Sequence, residues 1–375
     1  MILPDATLGM IGGGQLGRMF TIAARSMGYQ VIVLDPDPHC PAGSIANQHI
    51  QSEFSDHAAL DLLGDCCAAI TSEFENLPVD SLRRLQKHCP VRPSPETIAL
   101  TQDRLAVKNY LDEHEYPTVN FYDIQGLDDL EAAMDDMEQT GILKAGLPRY
   151  PGQGQHMVES LDEAVIAFKA MGEQPCVLEE RIFVARRLSV ILARSIDGEV
   201  ETYPVVENYF RSGLLESSMA PADIDSEVEE NAIGICVDIA DDLEHCGVLA
   251  VELFQTEDDE LLVDSITPRP HNSGHLTVNA CVTSQFEQQV RTLCGLPPGD
   301  TQMLSPVAMV NLMGDLWISG EPHWEAVFSE PAAMLHLYGK REARPGRKMG
   351  HISCLAEDAD SAFELAESIR EKLAP

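Results

Sequence analysis

Three stretches of this chain concentrate the residue types that bind phosphate or carboxylate groups and move protons. PRPHNSGH, residues 268–275, sets Arg269, His271, Asn272, Ser273 and His275 within seven positions, which suits an anion or substrate pocket better than a plain loop. YGKREARPGRKMGH, residues 338–351, gathers Lys340, Arg341, Arg344, Arg347 and Lys348 within nine positions. A clamp for phosphate or carboxylate is the better reading of that knot, against a solvated basic turn. Lys144 ends the apolar strand GILKA, and a glycine loop follows, Tyr150-Pro151-Gly152-Gln153-Gly154-Gln155. A strand lysine beside a glycine loop clamps nucleotide phosphates, the lysine as charge and the loop as lid. Lys108, on an earlier helix, supplies a second charge. Taken singly, each is an ordinary surface lysine, but the chain has only seven, against 25 basic residues.

Two further groups carry weaker signals. Glu252 sits in the apolar strand AVELF and Asp264 follows twelve residues later on the paired strand. Carboxylates across a hairpin can share a divalent ion bridging nucleotide phosphates; a lone buried glutamate is the plainer reading. Gly12, Gly14 and Gly17 satisfy G-x-G-x-x-G between a strand and a helix, and Asp35 ends the next strand, a dinucleotide fingerprint of moderate specificity. An oxidoreductase built on those four residues alone would leave PRPHNSGH and the basic knot unexplained.

The elements that position these groups read as α/β throughout. Strand, glycine turn, helix and strand run through LGMIGGGQLGRMFTIAARSMGYQVIVLD, and AAITSEFENLP with the helix VDSLRRLQKH adds a second unit. This predicts a doubly wound, Rossmann-like domain over 1–97, with Pro93 and Pro95 in VRPSPETIAL marking a linker. From Thr101 one helix carries QDRLAVKNYLDEHEY. Strands GILKA, PCVLEERI, RLSVILARS and ETYPVVENYF follow, then a helix near 226–245 and a hairpin turning at Asp258 and Asp259. Residues 98–298 thus form a nucleotide-binding α+β region, and 299–375 a small C-terminal domain with strands AMVNLM, MLHLYG and MGHISCLA and a closing helix.

Composition bounds the function. The chain has 375 residues, 44% of them apolar, enough for two or three domains with sizeable cores. A net charge of −36 repels phosphate polyanions and anionic bilayers, so neither nucleic acid nor membrane is an expected partner. Acidity with few lysines fits a high-salt protein and an ordinary acidic one about equally. No apolar run approaches the roughly 18 residues of a membrane span, and no signal peptide or C-x-x-C pair is evident. The ten cysteines read as small buried hydrophobes in a reducing cytoplasm.

Taken together and in order, GGGQLGRM, EFENLP, QDRLAVK, GQGQ, GVLAVELF, PRPHNSGH, CVTSQFEQ and YGKREARPGRKMGH resemble the 5-(carboxyamino)imidazole ribonucleotide synthases, over nearly the whole chain. The resemblance implies a three-domain ATP-grasp ligase of purine biosynthesis, a homodimer. It would use ATP, Mg²⁺ and bicarbonate to carboxylate 5-aminoimidazole ribonucleotide through carboxyphosphate. It further implies that Lys108, Lys144, Gly152, Gln155, Glu179 and Glu180 bind ATP and that Glu252, with Asp264, holds the metal. Gln15, Glu75, Tyr150, His271, Asn272, Lys340, Arg344 and Arg347 would bind the ribonucleotide or bicarbonate, with Arg269, Lys340 and Arg347 catalytic.

The chain also departs from that pattern. Pro151 and Gln153 replace a carboxylate and a cation of the glycine loop; Arg187 replaces a glutamate expected to hold the ATP ribose; Ser72 replaces a tyrosine. Asp264-Ser265 stands where an Asn-Glu pair is usual. Asp264 takes over the metal only after a one-residue adjustment, since strand neighbours face opposite ways. Two readings stay open: an active synthase, or a paralogue that binds a phosphorylated ligand with weakened ATP chemistry.

Overall fold

The computed structural model describes residues 1–137, 140–147 and 154–374. The N-terminal sheet is parallel throughout, in the order Gln48–Ile50, Gln30–Leu34, Thr7–Ile11, Ala69–Ser72. Its strands, apart from the edge strand Gln48–Ile50, are largely apolar and buried, which suits a parallel sheet flanked by helices. The helix Gln15–Ser26 starts directly after Gly14 with no side-chain cap of its own.

Beyond this sheet the expected linker is a helix. Pro95 occupies the first turn of Pro95–Gln102, where its missing N–H costs nothing, and the Ser94 hydroxyl accepts from Thr97 N at 3.0 Å. Asp103 then breaks the run and caps a second helix, Arg104–Glu113, accepting from Leu105 N at 2.9 Å. The single helix expected from Thr101 is therefore two, and the second carries Lys108.

A small antiparallel sheet, ordered Phe121–Ile124, Cys176–Glu180, Gly141–Ala145, Gln155–Val158, holds Lys144 and Glu179 on adjacent strands. The nine-stranded sheet runs Leu261–Thr267, Gly247–Gln255, Arg186–Arg194, Val206–Arg211, Leu214–Ala220, Val307–Met313, Lys348–Leu355, Ala333–Leu337, with Val200–Thr202 paired to Arg186–Arg194. ETYPVVENYF, expected as one strand, is split around Pro204, which cannot donate to a ladder. The last-region strands extend the sheet that carries Glu252, so the basic knot and the acidic hairpin share one scaffold. Among the described residues no helix is long and apolar enough to cross a membrane.

Candidate active site

One end of the site is an ion cluster between the small sheet and the hairpin. Lys144 Nζ lies 2.5 Å from Glu179 Oε2 and 3.2 Å from Asp264 Oδ1. Lys108 Nζ donates to Thr118 Oγ1 at 2.7 Å and sits 3.6 Å from Glu179 Oε1, an oxygen that accepts no hydrogen bond. Burial pulls the Lys108 ammonium below the usual lysine range, against the pull of Glu179 and Asp264. The Glu179 side chain is thus counter-ion to both lysines. Glu180, exposed, accepts from Asn120 Nδ2 at 2.8 Å, and Gln155 pairs with Lys144 in the sheet register. Tyr150, Pro151, Gly152 and Gln153 lie outside the described residues.

The hairpin delivers the second carboxylate by a bulge. Glu252 pairs with Ser265 and Leu253 with Val263, leaving Asp264 as the extra residue. A bulge re-aims a side chain that strict alternation would turn away. Ser265 Oγ donates to Glu252 Oε2 at 2.8 Å, while Asp264 reaches Lys144 and also acts electrostatically on Glu252. Burial, then Asp264, raises the Glu252 carboxyl above its usual range, opposed by Ser265, Lys348 and Arg187. Burial also pushes Asp264 upward, but Lys144, Lys108 and Arg104 together hold it below the usual value. Arg187 lies along the same strand face as Ser189 and Glu252, its guanidinium 4.9 Å from the Phe254 ring centre and 5.1 Å from that of Phe210. Among the described residues it makes no ion pair.

The other end is built on PRPHNSGH. Arg269 Nη2 lies 2.9 Å from Glu75 Oε1, and its Nε is buried without a hydrogen bond. His271 Nδ1 lies 2.8 Å from Ser273 Oγ and 3.4 Å from Ser273 N. Burial, with Arg269 and Lys348 nearby, drops His271 to about 3, so it is neutral. Asn272 donates to Asn311 Oδ1 at 3.1 Å and accepts from Gln15 Nε2 at 3.4 Å. Lys340 Nζ donates to Gln15 Oε1 at 2.9 Å and to Lys348 O at 2.6 Å. The basic knot divides here. Arg347 acts electrostatically on Lys340 and Lys340 on Lys348, whereas Arg344 is exposed and paired with Glu342. The expectation that Arg344 joins the pocket thus falls on an exposed residue.

Paired lysines beside an acidic hairpin, facing an arginine, a neutral histidine and two more lysines, can hold a nucleotide polyphosphate against a second anionic substrate. Family comparisons agree. A ribonucleotide synthetase preATP-grasp domain matches residues 5–102, an ATP-grasp domain 109–286, and a phosphoribosylaminoimidazole carboxylase C-terminal domain 307–364. The N5-carboxyaminoimidazole ribonucleotide synthase of Brucella melitensis is 41% identical over 352 residues, 93% of this chain and 96% of that protein. Its Bacillus subtilis counterpart is 38% identical over 360 residues, 96% and 94%. The chain belongs to the N5-carboxyaminoimidazole ribonucleotide synthase family. The synthase from Aspergillus clavatus, solved with ADP and 5-aminoimidazole ribonucleotide, superposes with a TM-score of 0.90 at 28% identity, covering 98% of each chain. The fold is accordingly ATP-grasp, with a preATP-grasp domain before it and the family's C-terminal domain after it.

Two residues, Glu73 and Gln285, escaped the sequence reading, and Lys348, read there only as part of the basic knot, gains its neighbours here. Glu73 Oε2 accepts from Gly17 N at 2.7 Å and also takes a bond from Gly14 N. It fills the anion cradle at the start of the first helix. Gly13 N donates to Asp35 Oδ2 at 2.7 Å, so the glycine loop is satisfied by carboxylates of its own chain, unlike an open dinucleotide site. A Cβ on Gly14 would meet Glu73 Oε1 at 2.3 Å, so glycine there serves the carboxylate's approach. Lys348, beside Glu252, Lys340 and Arg269, has its ammonium pulled down to about 8 by burial, against Glu252. Gln285, fully buried, accepts from His271 N at 2.9 Å and donates to His271 O at 2.8 Å. No spacing rule ties position 73 to 17 or 285 to 271; only the CVTSQFEQ motif hinted at the last.

Proposed function

We propose a division of labour across one continuous site for the family's reaction, the ATP-dependent carboxylation of 5-aminoimidazole ribonucleotide to its N5-carboxyamino product. The observation that carries it is the position of Glu252. It is coupled through Asp264 and Lys144 to the nucleotide end and through Lys348 to the ribonucleotide end. The two chemistries therefore meet at one carboxylate.

Lys108 and Lys144 would bind the ATP phosphates, with Gly152 and Gln155 of the glycine loop over them and Glu179–Glu180 at the strand end beside the base. Mg²⁺ fits the donor set: Glu252 and Asp264 offer hard oxygens, and Lys144 already places a cation on Asp264. Among the described residues no group of three or more His, Cys, Asp or Glu could hold a metal, so the phosphates would complete the shell, as is usual for Mg²⁺. When bound, the ion supplies charge neutralisation at the transferred phosphoryl. Bicarbonate oxygen would attack the γ-phosphorus with ADP leaving, and the carboxyphosphate formed needs shelter from water. The ribonucleotide's exocyclic nitrogen then attacks its carbon, or the CO₂ it releases, and phosphate departs. Arg269, Lys340 and Arg347 would stabilise the anionic groups; Gln15, Glu75, Tyr150, His271 and Asn272 would position the ribonucleotide and bicarbonate. His271, held neutral by burial, would serve as a hydrogen-bonding group rather than a cation. Arg344, exposed as it stands, is a weaker candidate for that pocket.

We assign 1–97, 98–298 and 299–375 as the domain limits, a homodimer as the assembly and the cytoplasm as the location. ATP-dependent phosphate release requiring both 5-aminoimidazole ribonucleotide and bicarbonate tests the activity. The paralogue reading rests on Arg187, which makes no ion pair among the described residues, and on Ser265 facing Glu252. Ribonucleotide binding with no turnover at several salt concentrations would favour it.

A further inference from the structure

The ion cluster at the nucleotide end is tightly cross-paired, with Arg104 acting on it from outside. Lys108 and Lys144 carry two positive charges, and Glu179 and Asp264 two negative ones, with Lys144 touching both carboxylates. Lys108, Lys144 and Glu179 are almost wholly removed from water, at 1%, 5% and 2% side-chain exposure. Asp264 reaches this cluster because the bulge spends an extra residue there, and the carboxylate so delivered is already taken by an ammonium 3.2 Å away.

We propose that Lys144 is a built-in counter-cation for Asp264, so that a divalent ion enters only with, or after, a nucleotide polyphosphate. The inference rests on reading Glu252 and Asp264 as the metal pair. A bare dication at Asp264 would have to lie beside Lys144 in a poorly hydrated site, where like charges repel strongly. Glu252 alone does not compensate, since its Oε2 accepts from Ser265 and Lys348 lies nearby. A polyphosphate changes both sides of the balance. It offers Lys144 and Lys108 new anionic partners, which frees Asp264, and it brings oxygens of its own to the ion. Lys144 is then a positioning residue for the metal as well as a ligand of the phosphates, and the order of binding is written into one ion pair.

Manganese titration of the full-length protein, followed by electron paramagnetic resonance, tests this without turnover. Wild type should bind Mn²⁺ weakly alone and about tenfold or more tighter with ADP, and Mn²⁺ should tighten ADP by the same factor. Lys144→Met should bind Mn²⁺ about tenfold tighter than wild type in the absence of nucleotide, and adding Asp264→Asn should abolish the gain. Because Lys144→Met unbalances Glu179, Lys144→Met with Glu179→Gln removes one charge of each sign and should show the same gain. No gain in either folded variant overturns the counter-cation. If Asp264→Asn in the wild-type background leaves Mn²⁺·ADP binding unchanged, the metal assignment itself falls. In EDTA, Asp264→Asn should raise ADP affinity about threefold or more by releasing Lys144; an unchanged affinity counts against the proposal.

Discussion

Ser265 stands directly across the sheet from Glu252 and donates its hydroxyl to Glu252 Oε2 at 2.8 Å. A hydroxyl thus occupies the place from which a second carboxylate would face the metal. Ser265→Glu should put two like charges opposite one another, which costs about 0.2–1 kcal/mol on an open sheet and more in a buried one. With Mg²⁺ and nucleotide present, the same carboxylate becomes a ligand. The variant should therefore melt lower than wild type in EDTA and regain the loss in Mg²⁺·ADP. Combined with Arg187→Glu, it should raise phosphate release. A double variant no faster than wild type would show that these two departures do not limit the chemistry.

Lys340 gives the ribonucleotide end a pH limit. Burial, with Arg347 close by, lowers its ammonium to about 8, against Glu73. The charged form is disfavoured in the folded protein, so stability should rise as pH climbs from about 8 toward the ordinary lysine value of 10.5. Substrate affinity should move the other way, because the charge that meets an anion disappears. KM for the ribonucleotide should climb above about pH 8 in wild type and lose most of that dependence in Lys340→Gln. An identical slope in the variant would assign the titration elsewhere.

Glu73 predicts the opposite stability slope. Burial and Asp35 raise its carboxyl to about 7, although the amides of Gly17 and Gly14 favour the charged form. The folded protein holds this proton more tightly than the unfolded chain, so the group's contribution is present below about 4.5 and lost as pH rises to about 7. Glu73→Gln removes the buried charge and should flatten stability between those pH values. It should leave the variant about 1–3 kcal/mol closer to, or above, wild type at pH 7.5 than at pH 5. Chemical denaturation at the two pH values measures this, and parallel losses would contradict it.

Much of this arrangement was readable from local pattern. The apolar run ending in Lys144, the hairpin around Asp258 and Asp259, and the polar density of PRPHNSGH all follow from near neighbours, and the structure keeps them. What escaped depends on distance or on exceptions to periodicity. Pro95 reads as a break but opens a helix, because Ser94 caps it. Asp264 faces the cluster only because a bulge overrides alternation. Glu73 meets Gly17 across 56 positions, a contact that packing alone creates.

The basic knot gives a contrast between neighbours. Arg344 is exposed with Glu342 as partner, a pair screened by solvent, and Arg344→Ala should leave KM for both substrates within about twofold. Arg347 is half-buried, donates to Glu342 O at 3.0 Å and acts on Lys340. Arg347→Ala should raise KM for the ribonucleotide or bicarbonate about tenfold with little change for ATP. Steady-state kinetics with each substrate varied would overturn the assignment if the effect fell on ATP alone.

Gln285 tests whether the pocket loop needs its clasp. Its carboxamide accepts from His271 N, donates to His271 O, and lies 3.1 Å from His275 Nδ1. Gly274 is held so close that a Cβ there would meet Gln285 Oε1 at 2.5 Å. Gln285→Leu keeps the volume and leaves the His271 carbonyl its bond from Gly274 N at 3.1 Å, but strands the His271 N–H, which should cost about 1–3 kcal/mol. His271 and Asn272 would then lose their fixed placement, and kcat should fall about ten- to a hundredfold while KM for ATP changes little. Gln285→Glu retains the acceptor for His271 N but loses the donor, so it should fall between the two. If the Gln285→Leu variant were destabilised with kcat intact, the clasp would serve folding only, and His271 would be held by Ser273 without it.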